Sequence, residues 1–160
     1  MNWQRLDSPY GCTDLKIWRD RHREEISVDW KVRAIRGATT TEENTIEAIR
    51  SAVRELIDEI EARNELDPDE MISAIFTMTP DLDAIFPAAI ARERSHWDHV
   101  ALLDVQQLQI EGSLNRCIRV LIHVNTPQPQ RAMNHVYLGR AKDLRPDWNL
   151  TPLHRDRHRL

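Results

Sequence analysis

The sequence predicts a single α+β domain in which helices cover one side of a mixed β-sheet. The chain has 160 residues, which is the size of one ordinary domain. One segment, residues 46–60, has sustained helical periodicity. Several other segments are short, rich in β-forming residues and bounded by turn signals. A sheet covered by helices on one side accounts for this order of elements.

The domain itself is predicted to span residues 31–150, between an N-terminal extension and a basic tail at 151–160. Residues 1–30 are rich in Trp, Arg and Asp and have no sustained period. Three interpretations of this extension stay open: a flexible arm, a short helix packed on the body, or sequence upstream of a true start near Val28.

Residues 32–38 are predicted to form the first strand. Alternation along it puts Val32, Ala34 and Arg36 on one face, and Gly37 lies near its end. The three threonines that follow, residues 39–41, offer N-cap hydroxyls for a helix that starts immediately afterwards. Its apolar face is predicted from the spacing of Ile46, Ile49, Val53, Leu56, Ile57 and Ile60.

Four more strands and a short helix are predicted further along the chain. The strands are residues 71–79, 99–105, 116–125 and 135–141, and Pro87 starts the helix because proline suits a first helical position. In the strand 116–125, four apolar residues alternate along one face: Ile118, Val120, Ile122 and Val124. Arg119 is therefore predicted to point away from the most apolar face.

Composition argues against several classes of function. The formal charge of −4 disfavours a general surface for nucleic acid or anionic membranes, and no apolar run approaches the roughly 20 residues that span a bilayer. The N-terminal segment lacks the layout of a secretory signal. The two cysteines, Cys12 and Cys117, have no metal-ligand spacing and fit a reducing compartment. We expect a cytoplasmic protein with no metal and no membrane or nucleic-acid partner.

Signatures of cofactor or hydrolytic chemistry are also missing from the sequence. With four glycines the chain has no phosphate-binding loop, and it has no G-x-S-x-G or H-E-x-x-H motif. The unusual feature is arginine on predicted strands, at Arg36 and Arg119. A planar, permanently charged group suits this position when it meets a carboxylate, although either arginine alone could belong to a structural ion pair.

The residues between Val32 and Leu150 resemble the AroH-class chorismate mutases. Seven blocks occur in family order with no gap: Arg36-Gly37-Ala38-Thr39-Thr40, Thr79-Pro80-Asp81-Leu82, Phe86-Pro87-Ala88, Arg92-Glu93, Cys117-Ile118-Arg119-Val120, His135-Val136-Tyr137-Leu138 and Leu144-Arg145-Pro146-Asp147. The resemblance implies a pseudo-barrel homotrimer with active sites between subunits. It also implies conversion of chorismate to prephenate, in the shikimate pathway toward tyrosine and phenylalanine, without a cofactor.

The resemblance assigns roles to individual residues. Arg119 is the expected catalytic residue, which contacts the ether oxygen where negative charge accumulates, and Arg36 and Tyr137 are expected to hold a carboxylate. The other expected contacts are two arginines at the mouth of the pocket and two apolar walls: Arg92, Arg145, Phe86 and Leu144.

Two positions depart from the family pattern. Gln107 stands where the family commonly has a glutamate against the substrate hydroxyl, so the expected contact there is neutral. Asp104 is a nearby candidate to supply the missing charge. At Ala89 some relatives have a lysine, so this chain has one cation fewer near the pocket.

Two alternative functions remain open at the level of sequence. One is an imine- or enamine-hydrolysing enzyme of related trimeric fold, in which an arginine also holds a carboxylate. The other is a non-catalytic, carboxylate-binding regulatory homologue, which Gln107 and the N-terminal extension would suit.

Overall fold

A computed structural model describes residues 29–148 of the chain. The predicted N-terminal extension, up to residue 28, and the predicted basic tail at 151–160 lie outside the described residues. The five strands are β1 (Lys31–Thr40), β2 (Met71–Met78), β3 (Ala101–Gln106), β4 (Cys117–Thr126) and β5 (Val136–Tyr137). The helices are α1 (Ile46–Asn64) and α2 (Pro87–Ala91), and short 3-10 turns occupy Pro68–Glu70, Ser95–Trp97, Gln130–Ala132, Gly139–Leu144 and Pro146–Trp148.

The strands form one mixed sheet in the order β3-β2-β4-β1-β5. Strand β4 pairs antiparallel with both β1 and β2, while β3 and β5 are added parallel at the two edges. The α+β class with a mixed sheet packed on helices is therefore confirmed. None of the helices within residues 29–148 is long and apolar enough to cross a bilayer.

Helix α1 covers one face of the sheet, and Gly37 shows how closely it packs. A Cβ atom on Gly37 would lie 2.7 Å from Ile60 Cδ1 of the helix and 2.9 Å from Val120 Cγ1 of β4. The alternation predicted for β4 is confirmed, since its apolar face is buried against α1: Ile118, Val120, Ile122 and Val124. Side chains of the opposite set, which includes Arg119, project from a face that α1 does not cover.

The predicted start of α1 was wrong. Thr39 and Thr40 belong to β1, where they pair with Ile118 and Cys117 of β4, so the hydrogen bonds of the sheet extend the strand past the predicted end. The N-cap residue is Thr45, whose hydroxyl accepts a hydrogen bond from the backbone N–H of Ala48 at 3.2 Å. A capping hydroxyl was expected, but the one used lies further along the chain.

The predicted last strand, residues 135–141, was too long. Only Val136 and Tyr137 pair with β1, and the chain enters a 3-10 turn at Gly139. Gly139 has a φ of +53°, which glycine adopts easily, and a Cβ there would lie 2.7 Å from Thr40 Oγ1. Left-handed backbone at Gly139 thus ends the strand. The third strand was predicted to start at residue 99, but β3 starts two residues later, at Ala101, because a turn occupies the residues before it.

Candidate active site

Arg119 and Arg36 leave the same face of the sheet, the one that α1 leaves uncovered. Arg119 lies opposite Ala38 of β1, and Arg36 lies opposite Leu121 of β4. Because opposite residues share a face and alternate residues along a strand return to it, the two arginines occupy diagonally adjacent positions on that face. Arg119 is half-buried and Arg36 is exposed. Both arginines lie on strands, as predicted, and they share one face of the sheet.

A cavity of about 650 Å³ opens beside these arginines. We call it the arginine cleft; its polar lining includes Arg36, Arg119 and Gln107, and its apolar lining includes Ile75, Leu121 and Leu108. Gln107 is held at the end of β3 because its N–H donates to the carbonyl of Met78 at 2.9 Å. A mostly apolar pocket with a few fixed polar groups is typical of a small-molecule site.

Tyr137 lies on the same face as Arg119, on the far side of β1. It pairs in parallel register with Ala38, the residue that also lies opposite Arg119. Its ring packs against Ala38 and Ala141, and only 7% of the residue is exposed. Arg36, Arg119 and Tyr137 therefore lie on the one sheet face that α1 does not cover.

Three buried polar atoms around this face have no hydrogen-bond partner: Gln107 Oε1, Arg119 Nε and Tyr137 Oη. Leaving such atoms unpaired costs about 1–3 kcal/mol each, so native proteins rarely do it without a functional reason. One is a donor, one an acceptor and one can be either. Together they are complementary to a ligand that has both a carboxylate and a hydroxyl. Among residues 29–148 the other such atom is Arg94 Nε, in an ion-pair cluster with Asp58 and Glu61.

Cys117 lies beside Arg119 but does not provide a nucleophile. Burial raises the pKa of its thiol, although a hydrogen bond from Arg119 opposes the shift. The thiol therefore stays protonated at neutral pH, and thiolate chemistry is disfavoured.

A second cavity, of about 500 Å³, is lined by two more of the predicted residues, Phe86 and Asp104. Asp104 lies in register with Phe76, a core residue, so its side chain is on the face covered by helices. Its carboxylate accepts a hydrogen bond from the N–H of Ala88 at 3.1 Å. Burial raises the pKa of Asp104, while that hydrogen bond and the charge of Arg92 lower it. Phe86 also lines this cavity and is 67% exposed.

Five of the predicted site residues thus form two groups, which line separate cavities. Arg36, Gln107 and Arg119 line the arginine cleft, whereas Phe86 and Asp104 line the second cavity. Asp104 therefore does not replace the missing charge beside the Gln107 of its own chain. Gln106 lines both cavities, which places them on either side of the end of β3.

Arg145 lies near Tyr137 through contacts with Trp148 that the sequence did not predict, and Leu144, at the end of the preceding 3-10 turn, is 36% exposed. The guanidinium of Arg145 lies 3.5 Å from the centre of a Trp148 ring, and Trp148 is 6.2 Å from the ring of Tyr137. Asp147 accepts two hydrogen bonds from Arg145, at 3.0 and 2.8 Å, and these raise the pKa of Arg145. The signal in the sequence was a tryptophan three residues after the arginine in a turn-rich segment.

No group of three or more potential metal-ligating side chains occurs within residues 29–148. The fold and the two arginines beside one cavity describe a class of protein first: an α+β protein whose cleft is suited to a small carboxylate-bearing molecule. Comparison with known proteins then gives the family. The chain belongs to the family described as chorismate mutase type I, whose model matches residues 32–148.

Individual relatives agree with this assignment. The chain is 41% identical to the chorismate mutase AroH of Bacillus subtilis (strain 168) over 120 residues, covering 75% of this chain and 94% of that protein. It is 47% identical to the AroH of Thermus thermophilus over 117 residues, covering 72% of this chain and 95% of the relative. A solved chorismate mutase from Clostridium thermocellum matches with a TM-score of 0.66 at 45% identity, covering 69% of this chain and 97% of that one.

Proposed function

We propose that this protein catalyses the rearrangement of chorismate to prephenate in the biosynthesis of aromatic amino acids. Membership of the chorismate mutase family supports the reaction. The single observation in the structure that supports it best is the set of three unpaired polar atoms, on Gln107, Arg119 and Tyr137, around the sheet face that also bears Arg36. Chorismate has two carboxylates and a hydroxyl, which match those atoms in number and in chemistry.

Arg119 is the proposed catalytic residue. The rearrangement is intramolecular, so the protein must hold the compact conformer of the substrate and stabilise charge that develops on the ether oxygen. A half-buried guanidinium with a free Nε–H suits that role because its charge is permanent and its donors are fixed in a plane. No general acid or base is needed for this step.

Arg36 and Tyr137 are the proposed anchors for a carboxylate, and Gln107 Oε1 is the proposed acceptor for the substrate hydroxyl. The carboxylate interacts with a permanent cation and with a buried phenol that lacks a partner. An amide oxygen accepts a hydrogen bond from a hydroxyl, but it does so without the added strength of a charged carboxylate. Catalysis can therefore proceed, with a weaker contact at this one position.

We further propose that the working site forms between copies of the chain, in a homotrimer. The two groups of site residues lie on opposite sides of the sheet edge, so the arginine cleft of one copy needs the Phe86 and Asp104 surface of another. The uncovered face also has large exposed apolar side chains at Leu103, Val105, Leu108 and Ile110. A surface of this kind is typical of a subunit interface. Arg92 directly follows α2, and its charge acts on Asp104. In the trimer it then attracts the dianion from the neighbouring copy.

Mixed oligomers test this arrangement. Arg119→Ala disables one group of residues and Arg92→Glu the other, so each variant alone is expected to lose most of its activity. When the two are unfolded together and refolded, random assembly restores about a quarter of the sites, because each intact site takes one group from each variant. No recovery in mixtures of confirmed trimers would contradict a shared site.

The reaction itself is tested by following chorismate by absorbance in the presence of a chelator and identifying prephenate as the product. The same assay on a chain that starts at Val28 tests whether residues 31–150 form a self-sufficient domain. An absence of turnover in the parent protein, with binding retained, would favour the regulatory alternative that Gln107 suggests. We place the protein in the cytoplasm, where a reduced thiol such as Cys117 is stable.

A further inference from the structure

Trp148 contacts three residues that lie on different elements near the proposed site. Its ring stacks on His135 with centroids 4.2 Å apart and planes at 17°. The guanidinium of Arg145 lies 3.5 Å from a Trp148 ring, and Tyr137 lies at 6.2 Å with a tilt of 59°. Stacked, tilted and cation–π contacts at these distances are all attractive. Trp148 is therefore the common neighbour of Arg145 and Tyr137.

His135 connects this cluster to the backbone of Arg36. Its Nδ1 atom accepts a hydrogen bond from the N–H of Arg36 at 2.9 Å. The next hydrogen bond along this edge of β1 joins two backbone groups: the N–H of Leu138 donates to the carbonyl of Ala38 at 2.8 Å. On the other side, the amide of Gln130 pairs with both the N–H and the carbonyl of Ala34. The imidazole of His135 therefore supplies one of the hydrogen bonds along the edge of β1, at Arg36.

Arg145 is held from two sides before any ligand binds. Asp147 takes two of its donors and Trp148 lies against its plane. A guanidinium fixed in this way loses little conformational freedom when its remaining donors meet a carboxylate, so the fixed geometry favours binding.

We propose that Trp148 and His135 are positioning residues that hold Arg145, Tyr137 and Arg36 in one fixed arrangement. This inference rests on the proposed function of those three residues. Trp148 acts through Arg145 and Tyr137, and His135 acts through the backbone of Arg36 and through the stack. Neither residue needs to touch the substrate.

The proton on His135 gives the arrangement a pH dependence. Nδ1 accepts a hydrogen bond only when it carries no proton. Burial and the charges of Arg36 and Arg145 lower the pKa of His135 below the usual 6.5. Arg131 and Asp147 line the same cavity as the imidazole, and Asp147 is already paired with Arg145. The neutral form of His135 therefore prevails at pH 7, and protonation at lower pH removes its hydrogen bond with the N–H of Arg36.

A double-mutant cycle on chorismate turnover tests the role of Trp148. Trp148→Ala is expected to raise KM by about three- to thirtyfold with kcat changed by less than about twofold, from the range of cation–π and stacking contacts. Trp148→Phe should recover most of this loss because it retains a ring. In the double variant with Arg145→Ala, KM should rise little beyond that of Arg145→Ala alone. If the rise in KM of the double variant equals the product of the rises in the two single variants, or if Trp148→Ala leaves KM unchanged, the proposal is overturned.

A measurement without substrate separates this proposal from the proposed function. Nitrogen NMR of the His135 ring should give an unprotonated Nδ1 and a pKa below 6.5 in the parent, and Trp148→Ala should raise that pKa by exposing the ring. If the parent does not convert chorismate but these shifts occur, the proposed function fails and the positioning network stands. Identical titration of His135 in the parent and in Trp148→Ala would overturn the network.

Discussion

Replacing Gly37 with alanine should destabilise the protein and displace β1, which carries Arg36, from the side that packs on α1. The new Cβ would meet Ile60 Cδ1 at 2.7 Å, Val120 Cγ1 at 2.9 Å and Leu56 Cδ1 at 3.2 Å. All three neighbours are buried, at 0–3% exposure, so none can move aside without shifting others. Overpacking of this kind costs about 1–3 kcal/mol, which exceeds the roughly 0.4–1 kcal/mol that alanine gains over glycine through the unfolded state.

The expected net loss for Gly37→Ala is therefore about 1–2 kcal/mol, or a fall in Tm of roughly 2–8 °C for a chain of this size. The value is measured by thermal unfolding at a fixed protomer concentration, because assembly contributes to stability. Since Gly37 lies between Arg36 and Ala38, a displaced β1 should also lower kcat/KM for chorismate.

A second substitution tests the cause of this loss. Ile60→Val removes Cδ1, the atom nearest to the new methyl group, at a cost of about 0.5–1.5 kcal/mol when made alone. In the double variant the two costs should sum to less than full additivity, because the shortest of the three contacts is removed. Full stability of Gly37→Ala, or simple additivity with Ile60→Val, would refute the packing argument.

Three further predictions concern single residues. Glu65 ends α1 in the left-handed region with a φ of 46°, so Glu65→Gly should stabilise the protein by about 0.5–1 kcal/mol in denaturant unfolding, whereas Glu65→Ala should not. Burial raises the pKa of Asp104 above its usual 3.8, so the carboxyl favours folding only while protonated and its contribution is lost as pH rises through the raised value. Asp104→Asn should accordingly be more stable than the parent at pH 7 and similar to it at pH 3, with no gain at pH 7 arguing against a costly buried charge. Gln107→Glu should raise kcat/KM about five- to tenfold by giving the substrate hydroxyl a charged acceptor, and a lower value would mean that the cleft is built around the amide.

The parts of the fold that sequence predicts well are those set by local pattern. The apolar stripe of α1 and the two-sided alternation of β4 follow from periodicity alone, and the same alternation places Arg119 on the uncovered face. The cations of the site were therefore predictable. The position of Tyr137 on the same face is not a local property, and a role for Tyr137 beside Arg36 was expected only from the resemblance to a family.

The parts that sequence predicted poorly depend on contacts between distant segments. Thr39 and Thr40 suit a helix cap, but pairing with Cys117 and Ile118 keeps them in β1. The strand at 135–141 ends early because Gly139 packs against Thr40. Trp148 and His135 have no significance until the chain brings them into a stack. The separation of Asp104 from Arg119 likewise depends on which face of the sheet each side chain occupies, and this follows only from the strand register.

The most direct test of the central claim is the kinetics of three arginine variants on chorismate. Arg119→Ala is expected to lower kcat/KM by about a hundred- to a thousandfold, the usual loss when a group that stabilises transition-state charge is removed. Arg119→Lys, which keeps the charge but loses the planar donors, should also be severely impaired. Arg54→Ala, which removes an exposed arginine on the outer side of α1, should match the parent. Full activity of Arg119→Ala, with its oligomeric state and Tm unchanged, would contradict the proposed catalytic role of Arg119.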